Sequence, residues 1–173
     1  MYRLDLHKQL HLSMLIALGL ILFLFETLLP RPLPWFKPGL ANLATVLTLY
    51  RYRGRAALWV TGSRVLLGSW ILGTFSAPVF WLAISAGLGS TLIMVILHRY
   101  NPFRFSPVGI SLLGAISHNV IQLWMAYWLI VGQMQIFRLL PLMLFPALLT
   151  GPLIGFLARL IQQKWPALAE AAP

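Results

Sequence analysis

Apolar runs of membrane-spanning length follow one another along the chain, separated by short clusters of proline, glycine and basic residues. At roughly 20 residues per crossing, the runs at about 12–29, 39–50, 55–75, 78–97, 107–131 and 136–161 predict about six transmembrane helices. Residues 1–11 (MYRLDLHKQLH) mix charge with Leu4, Leu6 and Leu10 and predict an interfacial segment that snorkels Arg3 and Lys8. Residues 12–161 then form the transmembrane domain and 162–173 a tail, frayed from Trp165 onward. Pro30, Pro32, Pro34 and Pro38 predict an extended connection after the first run, because proline disfavours helix at and before itself. Trp35 and Phe36 in that connection suit an interfacial anchor. The run 39–50 is short, which calls for tilt or for an inward-dipping PLPWFKPG loop. It joins the next run through the basic turn Arg51-Tyr52-Arg53-Gly54-Arg55. The run 136–161 holds Pro141, Pro146 and Pro152 and is expected to be kinked or broken.

Composition supports this pattern. The chain has 173 residues, 60% hydrophobic and 9% charged, with a mean hydropathy of +0.83, whereas a soluble domain carries about 25% charged residues. Too few polar side chains exist to cover a water-facing surface, so the fold class is an all-α polytopic membrane bundle. A net charge of +10 raises a nucleic-acid reading. The basic residues gather in the turns between apolar runs, however, where the positive-inside rule puts them. Arg3, Lys8, Arg51, Arg53, Arg55, Arg99, Arg104, Arg159 and Lys164 fall on one side, Arg31, Lys37 and Arg138 on the other. That bias predicts both termini in the cytoplasm, a multi-pass protein of the inner (cytoplasmic) membrane, and no nucleic-acid partner. The first run lacks a small-residue cleavage site and is followed by more spans, so it reads as a helix rather than a removed signal. Absence of cysteine excludes disulfides and thiol chemistry.

Because every helix is apolar nearly all round, the polar residues at membrane depth carry the information. Arg64 falls near the middle of its run. A charge at the bilayer centre costs about 2.5 kcal/mol or more, so something negative or dipolar must face it. Glu26 is the only acid between Asp5 and Glu170. Counting helix rise places it about 10 Å nearer the outer face than Arg64. Two readings stand: a structural Arg64–Glu26 pair, or an anionic substrate group held by Arg64 and His118. Ser111, Ala115, His118 and Gln122, spaced by four, three and four, share a helix face with Asn119 beside it. A polar cavity there and a packed histidine are equally compatible with that spacing. Asn42, Thr45 and Thr48 suit interhelical hydrogen bonds, and Asn42 also suits a ligand contact near the mouth. Gly87, Gly89, Ser90, Gly151 and Gly155 read as close-packing sites, and Ser13 with Ala17 as a small-residue docking stripe.

Several chemistries lack their residues. Three scattered acids cannot supply the aspartate clusters that hold magnesium on a diphosphate. No phosphate-binding Gly-Lys-Ser/Thr loop occurs, and His7 with His11 lacks the glutamate of a metalloprotease helix. Haem ligation by His11 or His118 has no spacing support. No catalytic residue, metal or cofactor is predicted, and the chain is not expected to be an enzyme by itself.

The segments LFETLLP (24–30), KPGLANLATVLTLY (37–50), RVLLGSWILGTF (64–75) and SPVGISLLGAISHNVIQLW (106–124) resemble the heptaprenyl diphosphate synthase component I family, also called Gx transporter proteins. The resemblance spans about 12–160, and PGLAN and SHN-x-x-Q are its more specific parts. It places Glu26, Asn42, Arg64, His118, Asn119 and Gln122 at the family's recurrent polar positions. The family is similar in layout to the S components of energy-coupling-factor transporters, which capture a vitamin or precursor and deliver it with a T subunit and two ATPases. That likeness implies an outward-opening binding protein for a small anionic or amphipathic nutrient, such as a vitamin, flavin, or quinone or isoprenoid precursor. Arg64 would attract its anionic group, His118 and Gln122 would hydrogen-bond it, and Trp35, Phe36 and Trp124 would stack on a ring. S components dock through Ala-x-x-x-Ala, where this chain has Ser13-x-x-x-Ala17. The family name implies instead a non-catalytic accessory subunit that anchors or feeds a prenyltransferase or quinone enzyme, docking through the basic turn. A passive structural subunit without any polar cavity is a third reading.

Overall fold

The computed structural model describes residues 2–28, 39–100 and 105–170, with side chains described for 6–28, 39–100 and 105–165. The proline-rich connection with Trp35 and Phe36 lies outside the described residues, as does Arg104. The protein is all-α. Helix α1 (Tyr2–Leu28) leads to α2 (Asn42–Ile71), α3 (Pro78–Tyr100) and α4 (Pro107–Ala126). A π-helical turn (Tyr127–Val131) and a 3-10 turn (Met134–Leu139) then precede α5 (Leu140–Glu170).

Helix α2 is a hairpin. Its backbone leaves the helical region at Arg53, with φ 69° and ψ −178°, a combination that glycine alone adopts freely and that costs other residues about 1–3 kcal/mol. Arg64 Nη2 donates to Asn42 Oδ1 at 3.4 Å, and the Thr45 and Thr61 hydroxyls lie 2.9 Å apart. Both pairs are symmetric about Arg53, so the arms 42–52 and 54–71 run antiparallel. Gly54 makes the elbow tight, since a Cβ there would lie 2.3 and 2.9 Å from the Val95 methyls of α3. Thr61 also meets Thr91 at 3.1 Å, and Thr91 donates to the Gly87 carbonyl. These hydroxyls tie both arms to α3. Thr48 serves only its own helix, donating to the Ala44 carbonyl.

The helices pack in chain order, and α5 closes back onto α2, which puts the hairpin at the centre. Ala44, Val46, Leu49 and Val60 are buried within it, together with Thr45, Thr48 and Thr61. Outward-facing positions are large and apolar, as at Met14, Trp59, Trp128 and Phe145. Polar groups inside and apolar ones outside is the arrangement hydrocarbon requires. Four stretches, Leu6–Leu28, Pro78–Tyr100, Pro107–Val131 and Met134–Trp165, are long and apolar enough to cross a membrane.

Helix α1 is continuous from Tyr2 to Leu28, so the stretch expected at the interface is helical and joined directly to the first span. Two expectations are corrected. Helix α5 is continuous through Pro141, Pro146 and Pro152, so of the kink or break expected the break does not occur. Pro141 stands in the first turn, where its missing N–H has no intrahelical acceptor to serve. Pro146 withholds an N–H from the Leu142 carbonyl; close by, Asn119 Nδ2 donates to the Met143 carbonyl at 2.8 Å and Thr150 to the Pro146 carbonyl. The same helix continues to Glu170, past the fraying expected from Trp165, whose ring stands edge-on to His11 at 6.2 Å.

His11 Nδ1 also hydrogen-bonds the Tyr52 hydroxyl at 2.8 Å. The start of α1, the elbow and the late turns of α5 therefore meet at one end of the bundle. Lys8, Arg51, Arg53, Arg55, Arg99, Arg159 and Lys164 lie toward that end, and Arg138 toward the other.

Candidate functional site

About 16 Å along the hairpin from the elbow, at 1.5 Å per residue, all five helices border one interior cavity of about 70 Å³. The end of α1 contributes Phe23 and Glu26, and the turn into α2 gives Gly39, Ala41 and Asn42. Arg64 and Val65 come from the second arm, Ala83 from α3, and Ala115, His118 and Asn119 from α4. Met143, Pro146, Ala147 and Thr150 come from α5.

Arg64 is 4% exposed and Glu26 8% exposed. Gly19 of α1 makes room for the arginine stem: a Cβ there would lie 3.1 Å from Arg64 Cδ and 3.2 Å from Ala44 Cβ. The guanidinium reaches Asn42, while Arg64 Nε has no hydrogen-bond partner among the described residues. Glu26 Oε1 accepts from the Ala41 N–H at 3.3 Å, which ties the carboxylate to the entry of the hairpin. The acid is close enough to act electrostatically on Arg64. The two line the same cavity.

Of the residues singled out in the sequence, Glu26, Asn42, Arg64, His118 and Asn119 are brought together. Asn119 spends one amide N–H on the Met143 carbonyl, so its second N–H and its carbonyl oxygen remain. Ser111 lines a small recess that adjoins the cavity through Gly39, Asn42, Ala115 and Thr150. Gln122, one turn further along α4, is not among the lining residues. Trp124 stands outside as well, its ring edge-on to Tyr127 and Phe137. Gly19 and the α5 wall were not legible as site residues, since small and apolar residues recur along every helix. Pro146 and Thr150, four apart on one face of α5, are the nearest to a signal.

Chemically, the cavity offers a guanidinium, a carboxylate, an imidazole and neutral amides, a set suited to holding a polar head. No group of three or more His, Cys, Asp or Glu side chains among the described residues is placed to hold a metal. At about 10–15 Å³ per water, the space takes about five waters or one carboxylate- or phosphate-sized group. A flavin ring would require the helices to part.

No curated protein and no solved structure matches the chain. A family model described as heptaprenyl diphosphate synthase component I matches residues 15–161. That stretch includes every residue lining the cavity. The chain belongs to the heptaprenyl diphosphate synthase component I family.

Proposed function

We propose that this protein is a non-catalytic membrane subunit whose interior cavity holds the anionic head of a small amphipathic molecule. One observation carries the reading: a buried guanidinium with an unused N–H among the described residues borders a cavity shared with Asn42, His118 and Glu26. An arginine fork matches carboxylate and phosphate oxygens, and such bonds are about twice as strong as neutral ones. Glu26 balances Arg64 when the cavity is empty and is displaced electrostatically when an anion enters. In this reading the two arms of α2 each cross the membrane, giving six crossings, and the basic end faces the cytoplasm with both termini.

The family description favours an accessory role beside a prenyltransferase subunit, in which the cavity presents or retains a substrate or product head. Uptake of a small nutrient with a T subunit and ATPases is the second reading, supported by the polar cavity at membrane depth. Affinity purification of the full chain separates them: a prenyltransferase subunit is expected, and ATPase subunits would favour uptake. The binding claim is tested by native mass spectrometry after mild extraction. Wild type is expected to carry a small acid-bearing molecule that Arg64→Gln lacks, with both variants melting as folded proteins. Equal ligand retention by a folded R64Q protein would contradict it.

A further inference from the structure

At the elbow end, a groove of about 830 Å³ runs between α1, the α2 turn and α3. Lys8, Arg53, Arg55 and Arg99 line it, and among the described residues no carboxylate does. Its floor is apolar, formed by Leu12, Leu49 and Val95, and its lipid-side wall is Trp59, 76% exposed. Four cations above an apolar floor suit one class of ligand, a phosphate head on hydrocarbon chains.

Positive charge alone would be the ordinary signature of a cytoplasmic face. Two features go beyond it. Arg51 belongs to the same turn but is not part of the groove, so the lining is a selected subset of the basic residues. Arg53, moreover, occupies a backbone conformation where glycine would be unstrained. The turn does contain a glycine, but Gly54 is committed to close contact with Val95. The strained position is left to an arginine that points its charge toward the groove. Strain kept at one residue signals that its side chain is needed.

We infer that this groove is a binding site for the phosphate headgroup of an anionic phospholipid, held by Lys8, Arg53, Arg55 and Arg99 with acyl chains along Trp59. Basic pockets between transmembrane helices on the cytoplasmic side recognise such heads, and arginine does so through paired N–H groups. The bound lipid braces the elbow against α1 and α3. The groove stands at the other end of the hairpin from the Arg64 cavity, so R64Q leaves it intact.

The test uses the full chain in mild detergent, titrated with phosphatidylglycerol or phosphatidylcholine and followed by native mass spectrometry and thermal melting. Phosphatidylglycerol is expected to bind at least tenfold more tightly than phosphatidylcholine and to raise the melting temperature. R55Q/R99Q is expected to lose that preference, whereas R51Q and K164Q, which alter basic residues outside the groove, keep it. R53G guards against a folding artefact. It removes strain together with charge, so it is expected to melt no lower than wild type in the absence of lipid and still to bind phosphatidylglycerol more weakly. Equal binding of the two lipids, or equal losses in R51Q and R55Q/R99Q, would reduce the groove to diffuse surface charge and overturn the inference. Displacement of the lipid by millimolar inorganic phosphate would make free phosphate the ligand. Loss of a co-purifying acidic protein from R55Q/R99Q without any lipid preference would make a protein the partner. Either result overturns the lipid assignment.

Discussion

The two ends of the central hairpin treat positive charge in opposite ways. At the elbow, arginines and a lysine stand exposed around a groove with no carboxylate among the described lining residues. At the far end a single arginine is buried, with Asn42 in contact and the carboxylate of Glu26 in the same cavity. The elbow cations are exposed, so folding does not require a built-in carboxylate beside each of them. Arg64 is buried, and its stem passes over Gly19, where a side chain would crowd it. Site residues are therefore recognised at the elbow by the shape they line, and in the interior by what neutralises them.

Breaking the interior end has the largest expected effect. Glu26→Leu leaves Arg64 without its carboxylate and is expected to cost about 3–5 kcal/mol. Adding Arg64→Met should recover much of that loss, because removing both charges avoids an unpaired one. Thermal melts of the single and double variants in one detergent check this, and a double variant weaker than E26L would contradict a coupled pair. Gly19→Val forces a side chain onto Arg64 Cδ and Ala44 Cβ and should cost about 1–3 kcal/mol. It should also weaken ligand retention, which separates it from an overpacked site remote from the cavity. Thr61→Val removes the hydroxyl that meets both Thr45 and Thr91, for about 1 kcal/mol. The smallest effect has the opposite sign. Arg53→Gly should stabilise the lipid-free protein by about 1 kcal/mol, the low end of the strain range, read as a raised melting temperature.

Much of the hairpin was legible in the chain, because Arg51 to Arg55 interrupts two apolar runs with charge and a glycine. The interior polar set was legible for a related reason. Hydrocarbon outside the bundle leaves Glu26, Asn42, Arg64, His118 and Asn119 nowhere to point but inward. Their convergence on one cavity depends on the register between helices, which apolar periodicity does not encode when every face is apolar. The same uniformity hid Gly19, whose missing side chain matters only because Arg64 crosses it. It also hid the α5 wall. Gln122 shared a predicted face with His118, but α4 lines the cavity for fewer turns than that face extends. The prolines of α5 suggested a kinked or broken helix. The helix is unbroken, and the contact that ties it to α4 near Pro146, from Asn119 to the Met143 carbonyl, is not announced by a single chain read alone.

The central claim is that an anionic group sits against the Arg64 guanidinium. A high-resolution density map of the gently extracted wild-type protein tests it most directly. The account predicts density for a carboxylate or phosphate within hydrogen-bonding distance of Arg64, bordered by Asn42 and His118. A cavity closed by apolar packing, with the guanidinium clamped on Glu26 alone and no further density, would contradict it.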